Sequence, residues 1–230
     1  MSDRLGAILA GVAGLALLAA PARGADNELT PAEKNDGWIL LFNGKDLTGW
    51  HRTSPGFGTW KVEDGAICLT GRGGGMLYTD ERYDNFILKV DFKMSPRCNS
   101  GVFVRVGDPK TPVQTGLEVQ VLDDQGRKPT RNSCGAIYDL VAPSKAVTRP
   151  AGEWNTFVIT CNKNLITVEL NGEKICAMNV DEWDKPGLRP DGSKHKYQLA
   201  IKDFPRKGLI GFQDHGTPVC YKNIKLKPLK

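Results

Sequence analysis

The sequence predicts an all-β fold, a sandwich or barrel of antiparallel strands that follows one short helix. Thirteen short apolar runs are separated by Gly, Asn, Asp and Pro, which is the pattern of strands divided by turns. No helical periodicity lies between the runs, so a parallel sheet wound with helices is not expected. No linker or change of composition divides them, which favours one domain over residues 26–230. The runs lie at residues 38–42, 59–63, 66–70, 75–79, 86–94, 101–106, 117–122, 134–140, 154–161, 165–170, 173–178, 208–213 and 219–229.

The first 25 residues read as a secretory signal peptide. Arg4 precedes an apolar run from Leu5 to Ala20, and small residues follow it. The apolar run is short for a membrane span. Asp3 offsets the charge of Arg4, which keeps an uncleaved membrane anchor as the alternative. We expect cleavage, export to the periplasm or beyond, and no membrane contact afterwards.

One helix is expected before the strands, in "LTPAEKNDG". Thr30 can cap its start, Pro31 suits the first helical position, and Glu33 completes a capping box. Gly37 ends it.

Composition narrows the classes of partner. The chain has 230 residues, 40% hydrophobic and 25% charged, with a net charge of +5, which is typical of a globular protein. The basic residues are scattered and no run of five Lys or Arg occurs, so a nucleic-acid partner is not expected.

Six cysteines suit an exported protein, and none forms a CxxC pair that would favour zinc. Asn171-Gly172 predicts a two-residue hairpin turn, which puts Cys161 and Cys176 two strands apart and beyond disulfide reach. Cys98 and Cys134 lie in polar sequence and are the expected bridge. The others can be buried free thiols.

Two strands carry polar residues on the face opposite their apolar one. In "LEVQVL", Leu117, Val119 and Val121 alternate with Glu118 and Gln120. In "NSGVFVRVG", the valines at 102, 104 and 106 alternate with Phe103 and Arg105. Such a face, with a ring, charges and an amide, is suited to bind sugar. The alternative is a solvated face with a cross-strand Arg–Glu pair.

Two loops add candidates. Gln213, Asp214 and His215 end a strand before Gly216, and histidine is the natural proton carrier near neutral pH. The polar, proline-broken stretch between residues 180 and 200 is long for a compact domain, and loops of that length are usually functional or mobile.

Several of these segments, in this order, resemble the 3-keto-disaccharide hydrolase family. They are "GWILLFNGKDLTGW", "NSGVFVRV", "EVQVLDD", "GAIYDL", "PAGEWNTF", "LNGE" and "KDFPRKGLIGFQDHG" followed by "YKNIKLKPL". The resemblance spans about Leu29 to Leu229. It implies a concanavalin-like jelly-roll sandwich of two antiparallel sheets, export, and action on glucosides oxidised to a ketone at C3.

The resemblance also implies a set of site residues. His215 and Glu118 would share acid–base work, and which of the two takes the proton stays open. The substrate-binding set would be Asn99, Arg105, Gln120, Asp123, Tyr138, Lys202, Gln213 and Asp214. The residues specify no cofactor; the alternative is a divalent metal held by Asp123, Asp124 and His215, whose spacing is not that of a particular metal site.

Three functions fit these residues. The first is cleavage of 3-keto-glucosides or 3-keto-disaccharides by elimination followed by hydration, or by net hydrolysis. The second is a non-catalytic, lectin-like sugar-binding module, which shares the fold. The third is a retaining β-glucanase of the laminarinase or lichenase type, whose strand would carry an acid at the position of Gln120.

Overall fold

The computed structural model describes residues 25–53, 60–71 and 75–230 of the chain. Apart from Ala25, the predicted signal peptide lies outside these residues. The strands are β1 (Ile39–Leu40), β2 (Trp50–Arg52), β3 (Trp60–Glu63), β4 (Ala66–Leu69), β5 (Leu77–Thr79), β6 (Phe86–Met94), β7 (Asn99–Val106), β8 (Leu117–Leu122), β9 (Trp154–Asn162), β10 (Leu165–Leu170), β11 (Glu173–Asn179), β12 (Leu209–Phe212) and β13 (Val219–Pro228).

These strands form two antiparallel sheets. The large sheet has the order β11-β10-β9-β6-β13-β4-β3, with β1 also paired to β13, and the small sheet has the order β2-β5-β12-β7-β8. Strands distant in sequence lie side by side in both sheets, as in a jelly roll. The prediction of an all-β sandwich is therefore confirmed.

The core lies between the two sheets. Val102 and Val104 of β7 and Val119 of β8 belong to the same buried cluster as Phe92 and Phe157 of the large sheet. Those two rings stack with centroids 4.5 Å apart. The valine faces of β7 and β8 thus turn inward as predicted, except at Val106, and their opposite side becomes the outer face of the small sheet.

The helices are short. Helix α1 (Pro31–Asn35) begins with the predicted capping box, in which Thr30 accepts from the Glu33 backbone and Glu33 accepts from the Thr30 backbone. Helix α2 (Pro112–Thr115) and the 3₁₀ helices Val180–Glu182 and Ile201–Asp203 lie in connections. Within the residues described, no helix has the length and apolar character needed to cross a bilayer.

Two strand predictions are corrected. Residues 134–140 make only isolated bridges, from Ile137 to Val119 and to Val141. Gly135 and Asp139 have positive φ angles of 82° and 61°, so this segment curls along the free edge of β8. Strand β2 was not predicted, because Trp50–Arg52 is too short to show an alternating pattern.

The predicted disulfide is wrong. Cys68 of β4 pairs with Cys220 of β13, its register partner, and the other four cysteines are free and buried. Cys98 and Cys134 lie in the core instead of in exposed loops. The argument against Cys161–Cys176 is confirmed, because β10 separates their strands. The Asn171-Gly172 turn is confirmed by positive φ angles of 54° and 87°.

Candidate active site

Strand register assembles one polar and aromatic row across the small sheet. Glu118 pairs with Phe103, Phe103 with Gly211, and Gly211 with Tyr78, which pairs with His51 at the edge. Directly paired residues of neighbouring antiparallel strands point to the same side. Because Val102 and Val119 point into the core, this row lies on the outer face, which here means the side of the small sheet away from the large one.

The Glu118 side chain lies across Gly101 on this face. A Cβ atom built on Gly101 would come within 2.5 Å of Glu118 Oε1. Real Cβ contacts do not occur at this distance, so glycine is required here for close approach to the carboxyl group. Gly101 is also the register partner of Gln120, which places the amide and the carboxylate over the same backbone segment.

Glu118 is buried, with 3% of its surface exposed. Burial raises the pKa of its carboxyl from 4.5 to about 7, and the nearby Lys196 ammonium opposes that rise. With its nitrogen turned toward Glu118, the Gln120 amide donates to Glu118 Oε1 at 3.1 Å and to Ser100 O at 3.2 Å. The carboxyl therefore titrates near neutral pH, which suits a group that accepts and releases a proton.

Lys196 supplies the positive charge beside this carboxyl. Its Nζ lies 3.6 Å from Glu118 Oε2, and its side chain is 28% exposed. The same Nζ lies 4.2 Å from the ring centroid of Tyr138 and 5.3 Å from that of Tyr197, which is cation–π distance. Burial lowers the pKa of Lys196, while Glu118 and Asp139 oppose this change.

Lys196 belongs to a connection that we call the covering loop, residues 183–200. The backbone N–H of Lys196 donates to Asp139 Oδ2 at 2.7 Å, and Arg189 Nη2 lies 2.6 Å from Asp139 Oδ1. Arg189 is itself buried. This ion pair joins the covering loop to the segment that carries Tyr138, whose N–H donates to Glu118 O at 2.8 Å. The lysine and the tyrosine are thus positioned together.

A turn at residues 213–217 adjoins the other side of β7. The Gln213 N–H donates to Gly101 O, and Thr217 Oγ1 accepts from the Asn99 N–H at 2.8 Å. Asp214 Oδ1 accepts from the Gly216 N–H at 2.8 Å, and His215 is exposed. Gln213 Oε1 is buried and has no hydrogen-bond partner among the described residues.

Sequence comparison places this fold and site in a family. The sequence profile described as "3-keto-alpha-glucoside-1,2-lyase-like domain" matches residues 37–227. The chain belongs to this family. The match includes both sheets, the covering loop and the turn at residues 213–217, so the resemblance stated from the sequence is confirmed.

Individual proteins are also similar to this chain. A Bacteroides thetaiotaomicron protein named 3-keto-disaccharide hydrolase is 28% identical over 84% of this chain and 79% of its own length. The crystal structure of a proposed glycosyl hydrolase from Parabacteroides distasonis is 32% identical, with a TM-score of 0.73 over 89% of this chain and 100% of that one. The Crh5 transglycosylase, at 12% identity and a TM-score of 0.51 over 81% and 82% of the chains, shares the fold alone.

The structure brings together several of the predicted site residues. Glu118, Gln120 and Asn99 form one connected group, because the Gln120 amide, with its nitrogen toward Glu118, has its oxygen 3.0 Å from the Asn99 side-chain amide. Tyr138 joins it through Lys196. Gln213, Asp214 and His215 lie in the adjoining turn, which contacts β7 through Gln213 at Gly101 and through Thr217 at Asn99.

The prediction that Arg105 lies on the outer face is wrong. Three residue-to-residue steps along β7, from Val106 to Phe103, span the same length as two steps along β12, from Leu209 to Gly211. This bulge, with φ of 54° at Arg105, turns the arginine to the other side of the sheet. Its guanidinium donates to Asp84 O, Lys163 O and Asn85 Oδ1. Val106 takes the outer-face position instead, against Tyr78 and Phe103.

Asp123 and Lys202 also lie outside the group around Glu118. Asp123 Oδ2 accepts from the Arg97 backbone at 2.7 Å, and Asp124 Oδ2 accepts from that of Cys134 at 3.1 Å. Lys202 is exposed in a 3₁₀ helix. Across residues 25–53, 60–71 and 75–230, no three His, Cys, Asp or Glu side chains converge as metal ligands, so Asp123, Asp124 and His215 form no such cluster.

Sequence reasoning missed the residues of the covering loop, Lys196 above all. Arg189, Tyr197 and His195 share this loop and are buried. The available signal was the length and polarity of the connection, which predicted a functional or mobile loop but named no residue. The cation that lies beside Glu118 is Lys196, whereas Arg105 and Lys202 of the predicted substrate-binding set lie elsewhere.

Proposed function

We propose that this protein cleaves the glycosidic bond of 3-keto-glucosides and that Glu118 removes the C2 proton. One observation carries the proposal: a buried carboxyl with a pKa raised to about 7 lies 3.6 Å from a lysine ammonium on the outer face. Titratable groups perturbed in this way by burial and a charged partner are typical of active sites. The family membership and the named relatives support the same chemistry.

The reaction requires one base and one acid. A ketone at C3 acidifies the C2 proton, so Glu118 can take that proton while the C2–H electron pair is delocalised onto the C3 oxygen. The C3 carbonyl then re-forms, the electron pair makes a C1–C2 double bond as the C1–O bond breaks, and the departing oxygen takes a proton from an acid. Water added across the double bond completes a net hydrolysis. A group with a pKa near the working pH is the most effective proton carrier.

His215 is the proposed acid for the departing oxygen. Its turn adjoins Asn99 and Gly101, one strand away from Glu118, and the imidazole is exposed toward solvent. Asn99 and Gln213 offer amides to sugar hydroxyls, Gln120 donates to the Glu118 carboxyl, and Tyr138 offers a ring to a sugar face. Gln213 Oε1, which is buried and has no partner within the part of the chain that the structure describes, is an acceptor that such a hydroxyl would satisfy.

Two features favour this reaction over the alternatives. A retaining β-glucanase needs a second carboxyl about 5–5.5 Å from the first, and the next outer-face position along β8 holds the amide of Gln120. A lectin-like module needs no carboxyl with a raised pKa, and keeping one buried costs stability. Cleavage of an unoxidised glucan would favour the β-glucanase, and binding of sugar without turnover would favour the lectin-like module.

The test compares oxidised and unoxidised sugars. Purified protein is incubated with 3-keto-trehalose or methyl 3-keto-glucoside and, separately, with the parent sugars, and released sugar is measured. We expect release from the keto forms alone, and a loss of about 10²-fold or more in Glu118→Gln and in His215→Ala. Glu173→Gln, which removes an exposed carboxylate in the β10–β11 hairpin, is the matched control and should keep full activity. Cleavage of the parent sugars would contradict the proposal.

We also propose that the protein works outside the cytoplasm. The disulfide between Cys68 and Cys220 supports an oxidising compartment, where such bonds persist. Expression of the full sequence in a bacterial host, followed by fractionation and N-terminal sequencing, tests this location. Mature protein in the periplasmic fraction is expected, and full-length protein held in the membrane fraction would favour the anchor instead.

A further inference from the structure

The Lys196 ammonium lies beside Glu118, and removal of the C2 proton by Glu118 does not by itself assign it a role. Its distance of 3.6 Å from Glu118 Oε2 is an ion-pair distance and too long for a hydrogen bond. An ammonium has three N–H donors, and here one side of it lies over the Tyr138 ring. Donors therefore remain for a substrate oxygen beside Glu118.

The position of Lys196 is built by the fold. The backbone N–H of Lys196 donates to Asp139, which forms an ion pair with the buried Arg189. Among the residues that the structure describes, the groups that face the ammonium are Glu118 from β8, Tyr138 and Asp139 from the curled segment, and Tyr197 from the covering loop. A side chain held this way is pre-organised, and a pre-organised charge stabilises a transition state without further rearrangement.

We propose that Lys196 donates to the C3 oxygen of the oxidised sugar and stabilises the negative charge that this oxygen gains as the C2 proton leaves. The inference rests on the proposed function and names the residue that makes it selective for oxidised sugars. Proton removal breaks the C2–H bond, the proton goes to Glu118, and the electron pair is delocalised onto the C3 oxygen. Lys196 keeps its protons throughout.

The arrangement of the two side chains fits this step. C2 and the C3 oxygen are separated by only two bonds, so a base and a donor that address them must be close neighbours without bonding to each other. An ion pair at 3.6 Å meets that condition, since each group needs to come within about 2.6–3.2 Å of its own substrate atom. An unoxidised sugar has a hydroxyl at C3 and develops no charge there. Lys196 would then give it no catalytic advantage.

The experiment uses a substrate that can lose the C2 proton but cannot be cleaved. The 3-keto derivative of 1,5-anhydroglucitol has a C3 ketone and a C2 proton and lacks a glycosidic bond. Exchange of that proton in D₂O is followed by NMR for the wild type, Lys196→Met and Lys196→Arg. Lys185→Met, an exposed lysine of the same covering loop, is the matched control. Circular dichroism establishes that each variant is folded.

We expect Lys196→Met to slow exchange by roughly 10²–10³-fold at every pH between about 6 and 9. Lys196→Arg keeps the charge and should lose less, and Lys185→Met should match the wild type. Lys196 could instead act only by lowering the pKa of Glu118, and its loss would then raise that pKa further. In that case the exchange activity that Lys196→Met loses at neutral pH would return at high pH. Such a recovery would overturn the inference.

Two other outcomes separate this inference from the proposed function. Exchange that depends on Lys196, with no cleavage of any keto-glycoside, would support the inference and refute the proposed function. The opposite result is cleavage of keto-glycosides by the wild type together with proton exchange in Lys196→Met that stays within threefold of the wild-type rate. That result would support the proposed function and refute the inference. A wild type that catalyses no exchange would overturn the inference, whichever glycosides it cleaves.

Discussion

Replacing Glu118 by glutamine should stabilise the folded protein while it removes activity. The amide has nearly the shape of the carboxyl and cannot ionise. Glu118 is 3% exposed, and its pKa in the folded protein is raised from 4.5 to about 7. A raised carboxyl pKa means that the folded state disfavours the charged form, so ionisation of Glu118 works against folding.

The size of the effect follows from the two pKa values. Below about pH 4.5 the carboxyl is protonated in both the folded and the unfolded chain, and it has no cost. As pH rises from 4.5 to about 7, the unfolded chain loses the proton first, and stability falls. Above about pH 7 the cost is complete, about 3 kcal/mol at about 1.4 kcal/mol for each pKa unit. The opposing effect of Lys196 is already contained in the folded-state pKa.

Urea unfolding of the wild type and Glu118→Gln at about pH 4.5 and about pH 8 measures this cost. The free energy of unfolding of the variant relative to the wild type should rise by about 3 kcal/mol between the two pH values. Other titrating groups cancel in that difference. Glu173→Gln is the control with the opposite sign, because Lys145 lowers the pKa of that exposed carboxyl. A stability difference that does not change with pH would refute the reasoning about Glu118.

Three further predictions follow from the same structure. In wild type, kcat/KM on a keto-glycoside should rise with pH through an apparent pKa of about 7, and this acid limb should be absent in Glu118→Gln. Gly101→Ala puts a Cβ 2.5 Å from Glu118 Oε1, so kcat/KM should fall by roughly 10- to 10²-fold. Added to Glu118→Gln, the same substitution should lower kcat/KM no further. An additive loss would show that the two residues act separately. Cys68→Ala with Cys220→Ala removes a cross-link between residues with a sequence separation of 152. The entropy of the unfolded chain then predicts that the free energy of unfolding in urea falls by about 5 kcal/mol. An unchanged unfolding midpoint would mean that the disulfide does not form.

Local sequence patterns predicted the features that depend on neighbours along the chain. The Thr30–Glu33 capping box and the Asn171-Gly172 turn each need only a few adjacent residues, and both occur in the structure. The inward valines of β7 and β8 follow from a period of two. The cysteine bridge depends instead on which strands meet, and β4 and β13 lie 152 residues apart at their cysteines.

The site was predicted to the extent that it lies on regular strands. Glu118 and Gln120 were found by alternation, but Arg105 was misplaced because a bulge at that residue shifts the alternation by one. Periodicity carries no sign of a bulge in advance. Lys196 was missed for a related reason: a loop without a period gives no basis for deciding which of its lysines points inward.

The covering loop is what separates this outer face from an ordinary solvated one. The same Glu118 on an open sheet face would be hydrated and would keep its usual pKa, as a weak base that costs the fold nothing. Burial makes the Glu118 carboxyl a stronger base, and the covering loop supplies Lys196 beside it. The cost to stability and the gain in reactivity therefore have one physical origin. If burial of Glu118 serves catalysis, Glu118→Gln must gain stability at high pH and lose proton transfer together, and a variant that gained stability while keeping turnover would separate the two.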